Sequence, residues 1–155
     1  MEEIFYFAAR DGKVEEVKSI LRNNPSLNAN WKNEGDNART ALVAACEKGH
    51  DSVVSILLAH PDVDPNLKNT VGSTPFLIAC FFGNTSCVRL LQDQRVMVNE
   101  PRNSGETPLR RAAYYGQHDV IKWWIVSGRE MNLGKPGDID KTDAIGAAKE
   151  EKKKW

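Results

Sequence analysis

The stretch TPFLIACFFG, Thr74 to Gly83, decides the fold. A threonine opens it, a proline follows at once, and a glycine closes it. The threonine hydroxyl is a good acceptor for the free N–H groups of a helix start. Proline suits the first helical position, where no N–H is needed. Glycine tolerates the left-handed conformation that ends a helix. The segment therefore reads as one short, fully bounded helix.

The same text recurs on both sides. TALVAACEKG runs from Thr40 to Gly49, and TPLRRAAYYG from Thr107 to Gly116. Glycines Gly12, Gly49, Gly83 and Gly116 are 37, 34 and 33 residues apart. Threonines Thr40, Thr74, Thr107 and Thr142 are 34, 33 and 35 apart. A small pair sits inside each first helix: Ala8-Ala9, Ala45-Cys46, Ala79-Cys80 and Ala112-Ala113. Small side chains let neighbouring helices approach closely. After each glycine comes a second run: VEEVKSIL, DSVVSILL, TSCVRLLQ and DVIKWWIV. Apolar residues such as Val53, Val54, Ile56, Leu57 and Leu58 fall at helical spacing there. The connectors KNTVGS and RNSGE carry the chemistry of tight hairpin turns. A period this regular marks a repeat array.

These units resemble ankyrin repeats, whose signature is T-P-L-H-x-A with a 33-residue period. TPFLIAC and TPLRRAA match best, then TALVAAC. FYFAARDGKVEEVKSIL resembles an N-terminal capping repeat, and TDAIGAAKEE the first half of a fifth unit. The resemblance implies a mostly α-helical solenoid of about four and a half stacked helix-turn-helix units with β-hairpin loops. It implies one domain over 1–155, with units near 2–34, 35–69, 70–102 and 103–137, and a partial unit at 138–155. Each unit contacts only its neighbours, so the core forms in the array. The charged end KEEKKKW leaves two readings open: a single-helix cap, or a piece of a longer array.

Departures from the signature carry expectations. Val43, Leu77 and Arg110 stand where the histidine is usual, which predicts slightly looser helix starts. Arg111 occupies a register that is apolar in Phe7 and Ile78, and its mate in the fifth unit is Gly146. We expect its stem to fill space and its guanidinium to reach solvent or a carboxylate. Of Trp123 and Trp124, at least one is expected in the core, and the other partly exposed on the convex face.

Bulk composition narrows function. Lys plus Arg is 21 and Asp plus Glu is 21, so no net field steers the chain to nucleic acid or anionic lipid. No apolar run approaches the roughly 18 residues of a membrane span. Two glutamates precede the six-residue apolar run Ile4–Ala9, where an export signal needs positive charge. Three cysteines without paired spacing point to a reducing compartment, the cytoplasm or the nucleus. DVDPN at 62–66 begins like a calcium loop, but Leu67 and Ser73 stand where glycine and glutamate are required. The histidines His50, His60 and His118 show no zinc spacing. No phosphate loop, dinucleotide fingerprint or nucleophile elbow is present, so neither an enzyme nor a cofactor is expected.

The family resemblance places the two residues before each first-helix glycine on a concave groove. Here they are Arg10-Asp11, Glu47-Lys48, Phe81-Phe82 and Tyr114-Tyr115. The hairpin tips project to the same side. The expected function is recognition of a protein or peptide by a monomeric adaptor, scaffold or regulatory inhibitor. Phe81, Phe82, Tyr114 and Tyr115 are the expected anchors, because aromatics bury much area at small entropic cost. Glu47, Lys48, Arg39, Asp36, Val71, Ser73, Ser104 and Glu106 are expected to add selectivity. A rarer use of such aromatics is a cage for methylated lysine, through cation–π attraction.

Overall fold

The computed structural model describes residues 1–129. The fifth unit, Thr142 and Gly146 lie outside the described residues. Eight α-helices are described: α1 Glu2–Arg10, α2 Val14–Asn23, α3 Ala41–Lys48, α4 Asp51–Ala59, α5 Pro75–Phe82, α6 Thr85–Leu90, α7 Pro108–Tyr114 and α8 His118–Ser127. They form two rows. First helices α1, α3, α5 and α7 pack in that order, and α2, α4, α6 and α8 pack behind them.

The boundaries arise as the sequence predicts. Thr40, Thr74 and Thr107 accept from the N–H of Val43, Leu77 and Arg110 at 3.3, 3.2 and 3.3 Å. All three threonines are buried, and each cap forms with Val43, Leu77 or Arg110 in place of the signature histidine. Gly49 and Gly83 end α3 and α5 at φ 73° and 71°. An added Cβ at Gly83 would stand 2.1 Å from the Gln117 amide oxygen. That closeness is functional to the stack: Gln117 Nε2 donates to the Phe81 carbonyl at 2.8 Å. One unit earlier, Asn84 Nδ2 donates to the carbonyls of Cys46 and Glu47 at 2.7 and 2.9 Å. The residues after Gly83 and Gly116 thus bind carbonyls at the end of the previous first helix.

A second set of clasps holds the outer loops. Asn30 donates to the Asp62 carbonyl at 2.6 Å and accepts from Asp64 N–H at 2.9 Å. Asn66 does the same to Arg95 and Met97, at 2.6 and 2.8 Å. These amides satisfy backbone groups that loops otherwise leave open.

The expected β-hairpins are reduced to turns. Among the described residues there is no strand, only an antiparallel bridge between Asn33 and Arg39. The later tips close through Asn69 N–H to Ser73 O and Arg102 N–H to Glu106 O, at 3.1 and 3.0 Å. Neighbouring tips join through Thr70 N–H to Asn37 O and Asn103 N–H to Val71 O. One bond across each tip beside its turn bond does not build a ladder.

The core runs along the stack. Cys46, Cys80 and Cys87 are buried in it as small apolar residues. Burial pushes the Cys46 and Cys80 thiols well above their ordinary range. Trp123 and Trp124 are both buried, so neither offers the convex surface expected above. Their rings pack on Phe76 of α5 at 6.0 and 5.5 Å, a deep apolar site that claims both.

Candidate partner-binding groove

The expected anchors sit at the ends of α5 and α7, on adjacent helices of the first row. Phe82, Tyr114 and Tyr115 are 45%, 59% and 47% exposed, while Phe81 is half-buried. The four rings touch in a chain. Edge-on contacts join Phe82 to Phe81 at 4.6 Å, Phe81 to Tyr115 at 4.5 Å and Tyr115 to Tyr114 at 5.0 Å. The aromatics therefore form one continuous strip across two units.

Arg111 holds this strip from below. Its guanidinium carbon lies 4.4 Å from the Phe81 ring centre and 4.9 Å from that of Tyr115. Its Nη1 meets Glu106 Oε1 at 3.2 Å. The guanidinium does reach a carboxylate, as its register predicted. Its role beneath the rings was not foreseen, yet the signal was present: Arg111 precedes Tyr115 by four residues, the spacing of neighbours on a helix face. Of the four rings, Phe81 and Tyr115 already carry this cation on one face.

Glu106 also takes Arg102 Nε at 3.2 Å and the Ser104 hydroxyl at 2.8 Å. Burial raises its carboxyl pKa, but the Ser104 bond and the two guanidiniums outweigh this and leave it lowered.

The other half of the face is ionic. Arg39 spans Asp36 at 2.9 Å and Glu47 at 3.0 Å. Asp36 also accepts the hydroxyl of buried Tyr6. Burial first, then the Asp36 carboxylate, push the Tyr6 pKa far up. Trp31 packs edge-on to Tyr6 at 6.2 Å, which gives that loop tryptophan its place. Arg10, Asp36, Arg39, Ala44, Glu47 and Lys48 line a shallow pocket of about 220 Å³.

The selectivity residues separate on inspection. Lys48, Val71 and Ser104 are exposed. Ser73 is buried, with its carbonyl taken by Asn69, so it is not an accessible contact. Asp36, Arg39, Glu47 and Glu106 are half-buried and engaged with one another or with neighbours. The Asp36–Arg39 and Arg102–Glu106 pairs stand at three- and four-residue spacing, whereas Arg39–Glu47 and Arg111–Glu106 depend on how each tip packs against its helix.

The helix pairs, their shared caps and their side-by-side stacking define a helical-repeat solenoid. The profile described as "Ankyrin repeats (3 copies)" matches residues 2–69 and 61–134, and the chain belongs to the ankyrin repeat family. Repeats of this family are protein-interaction modules. The chain is 32% identical over 117 residues to "Putative ankyrin repeat protein YahD" of Escherichia coli (strain K12), covering 72% of this chain and 56% of that protein. It is 38% identical over 79 residues to "SMC5-SMC6 complex localization factor protein 1" of Mus musculus, covering 50% of this chain and 8% of that one. It is 37% identical over 116 residues to "Probable E3 ubiquitin-protein ligase XBOS32" of Oryza sativa subsp. japonica, covering 74% and 23%. The chain thus spans little more than half of the first relative and small parts of the others. Among the described residues, no helix is long and apolar enough to cross a membrane.

Proposed function

We propose that this chain binds a protein or peptide through its concave face, as an adaptor, scaffold or regulatory inhibitor. The observation that carries the reading is the strip of Phe81, Phe82, Tyr114 and Tyr115. Three of its rings, Phe82, Tyr114 and Tyr115, are exposed and outside the core, and half-buried Phe81 links Phe82 to the tyrosine pair. Buried aromatic anchors of this kind dominate interface energies. Glu47, Lys48, Arg39, Asp36, Val71, Ser104 and Glu106 border the strip in this reading. The module is non-enzymatic, takes no cofactor, nucleic acid or membrane, acts as a monomer, and works in the cytoplasm or nucleus. Its units divide near 2–34, 35–69, 70–102, 103–137 and 138–155.

The test is a pull-down from native lysate with wild type beside a Phe82→Ala/Tyr114→Ala variant that keeps its helical circular dichroism and melting point. A protein lost only from the variant supports the groove. Equal recovery by both moves the interface elsewhere. A second reading treats the chain as part of a longer array whose main site lies outside it, favoured by its partial coverage of its relatives. Recovery of the same partner by the wild-type chain alone, at full affinity, counts against that reading.

A further inference from the structure

We propose that the groove takes an extended acidic segment of its protein partner. The segment presents an aspartate or glutamate to Lys48 and, at three-residue steps, two apolar or aromatic side chains to Phe82 and Tyr115. The proposal rests on the groove reading above and gives it a ligand chemistry.

Charge supports the acidic side chain. The two carboxylates nearest the strip, Glu47 and Glu106, are recessed and paired, while Asp11 on the first unit is 40% exposed and held by Arg10 at 2.8 Å. Glu47 is 13% exposed and its Oε2 is held by Arg39 at 3.0 Å. Glu106 is 21% exposed and serves both Arg102 and Arg111 at 3.2 Å. Lys48 is 52% exposed and meets only the other Glu47 oxygen, at 3.7 Å. A partner approaching the strip from the α3 side therefore meets a projecting ammonium, with the anions sheltered behind guanidiniums. Complementary charge at such a position favours an acidic partner.

Geometry supports the spacing. Lys48, Phe82 and Tyr115 occupy the same register, each directly before its repeat glycine: the first two end α3 and α5, and Tyr115 follows the last residue of α7. Packed helices lie about 8–10 Å apart. A chain in the extended polyproline II conformation rises about 3.1 Å per residue and turns once every three, so residues three apart share one face. A segment crossing the first helices at a steep angle thus meets one unit about every three residues. The expected pattern is an acid, then apolar or aromatic residues three and six positions away, in either chain direction.

The test uses random dodecapeptides displayed on phage and panned against the full chain. One enriched peptide, fluorescein-labelled, is then titrated by anisotropy against wild type, Lys48→Glu and Phe82→Ala/Tyr115→Ala. Each variant is first shown to melt like wild type. The expected result is enrichment of an acid three residues from an aromatic or large apolar residue. Lys48→Glu then weakens binding about tenfold or more, and the double variant by about thirtyfold or more. Peptides that need the aromatics but carry no acid, or ignore Lys48→Glu, overturn the acidic assignment and leave the groove reading standing. Peptides indifferent to both variants overturn both. No enriched sequence overturns the extended-segment proposal. So does an aromatic-dependent doubling of mass in sedimentation, which makes a second copy the occupant, or displacement of the peptide by a dodecathymidylate.

Discussion

Helices α1 and α3 present an ionic surface, and α5 and α7 an aromatic one, on the same repeated backbone. In the first half, Tyr6, Asp36, Arg39 and Glu47 pair with one another. In the second, Phe81, Phe82, Tyr114 and Tyr115 leave much of their ring area open. Both halves nevertheless contain an arginine paired to a carboxylate near the helix-end pair. Arg39 bridges two acids, whereas Arg111 holds one acid and two rings. The threonines, glycines and small pairs fix the frame, so the two positions before each glycine are free to differ.

The largest expected effect strikes the frame common to both halves. Gly83→Ala puts a Cβ into the Gln117 amide at a φ of 71° and disrupts the bond to the Phe81 carbonyl. The loss should be about 2–3 kcal/mol, read by urea unfolding, from left-handed strain plus a lost hydrogen bond. Gly105→Ala has a φ of 81° but meets nothing within 4 Å. It should cost only about 1–2 kcal/mol. Equal losses would show that the Gln117 clasp adds nothing.

Removal of a cap should come next. Thr74→Ala deletes the acceptor for Leu77 N–H in a buried site and should cost about 1–2 kcal/mol. The value should match that of Thr40→Ala, since the frame is the same in both halves. A much smaller cost at one of them would break the equivalence.

The halves should then part company. Tyr114→Ala should change stability by less than about 1 kcal/mol, because the side chain is largely exposed. Arg111→Met removes the cation from beneath two rings and from Glu106. It should cost more than Tyr114→Ala, by about 1 kcal/mol. A fully neutral Arg111→Met would mean that the strip supports itself.

The smallest effect is a pH dependence confined to the ionic half. The folded-state pKa of Tyr6 is raised above its ordinary 10.0 by burial and by Asp36. Its contribution is therefore complete below about pH 10 and declines as pH rises from there. Tyr6→Phe should flatten the alkaline decline in melting temperature relative to wild type. Parallel curves would remove Tyr6 as its source.

Much of this molecule was legible in its residues. The Thr-Pro starts, glycine stops and 33- to 37-residue period gave the helix boundaries, because caps and left-handed glycines are local chemistry. The aromatic pairs were legible as a surface for the same reason: the period assigns each residue a register. What only the tertiary structure decided is which of those surface residues are engaged. The Arg111 guanidinium beneath Phe81 and Tyr115, the Tyr6–Asp36 contact, the Asn84 and Gln117 clasps and the burial of Ser73 and both tryptophans join residues in different units or different loops. Sequence periodicity fixes a residue's place along its own unit. Its partners across the stack depend on which side chains fill the gap between neighbouring helices, and that is settled only when the units pack.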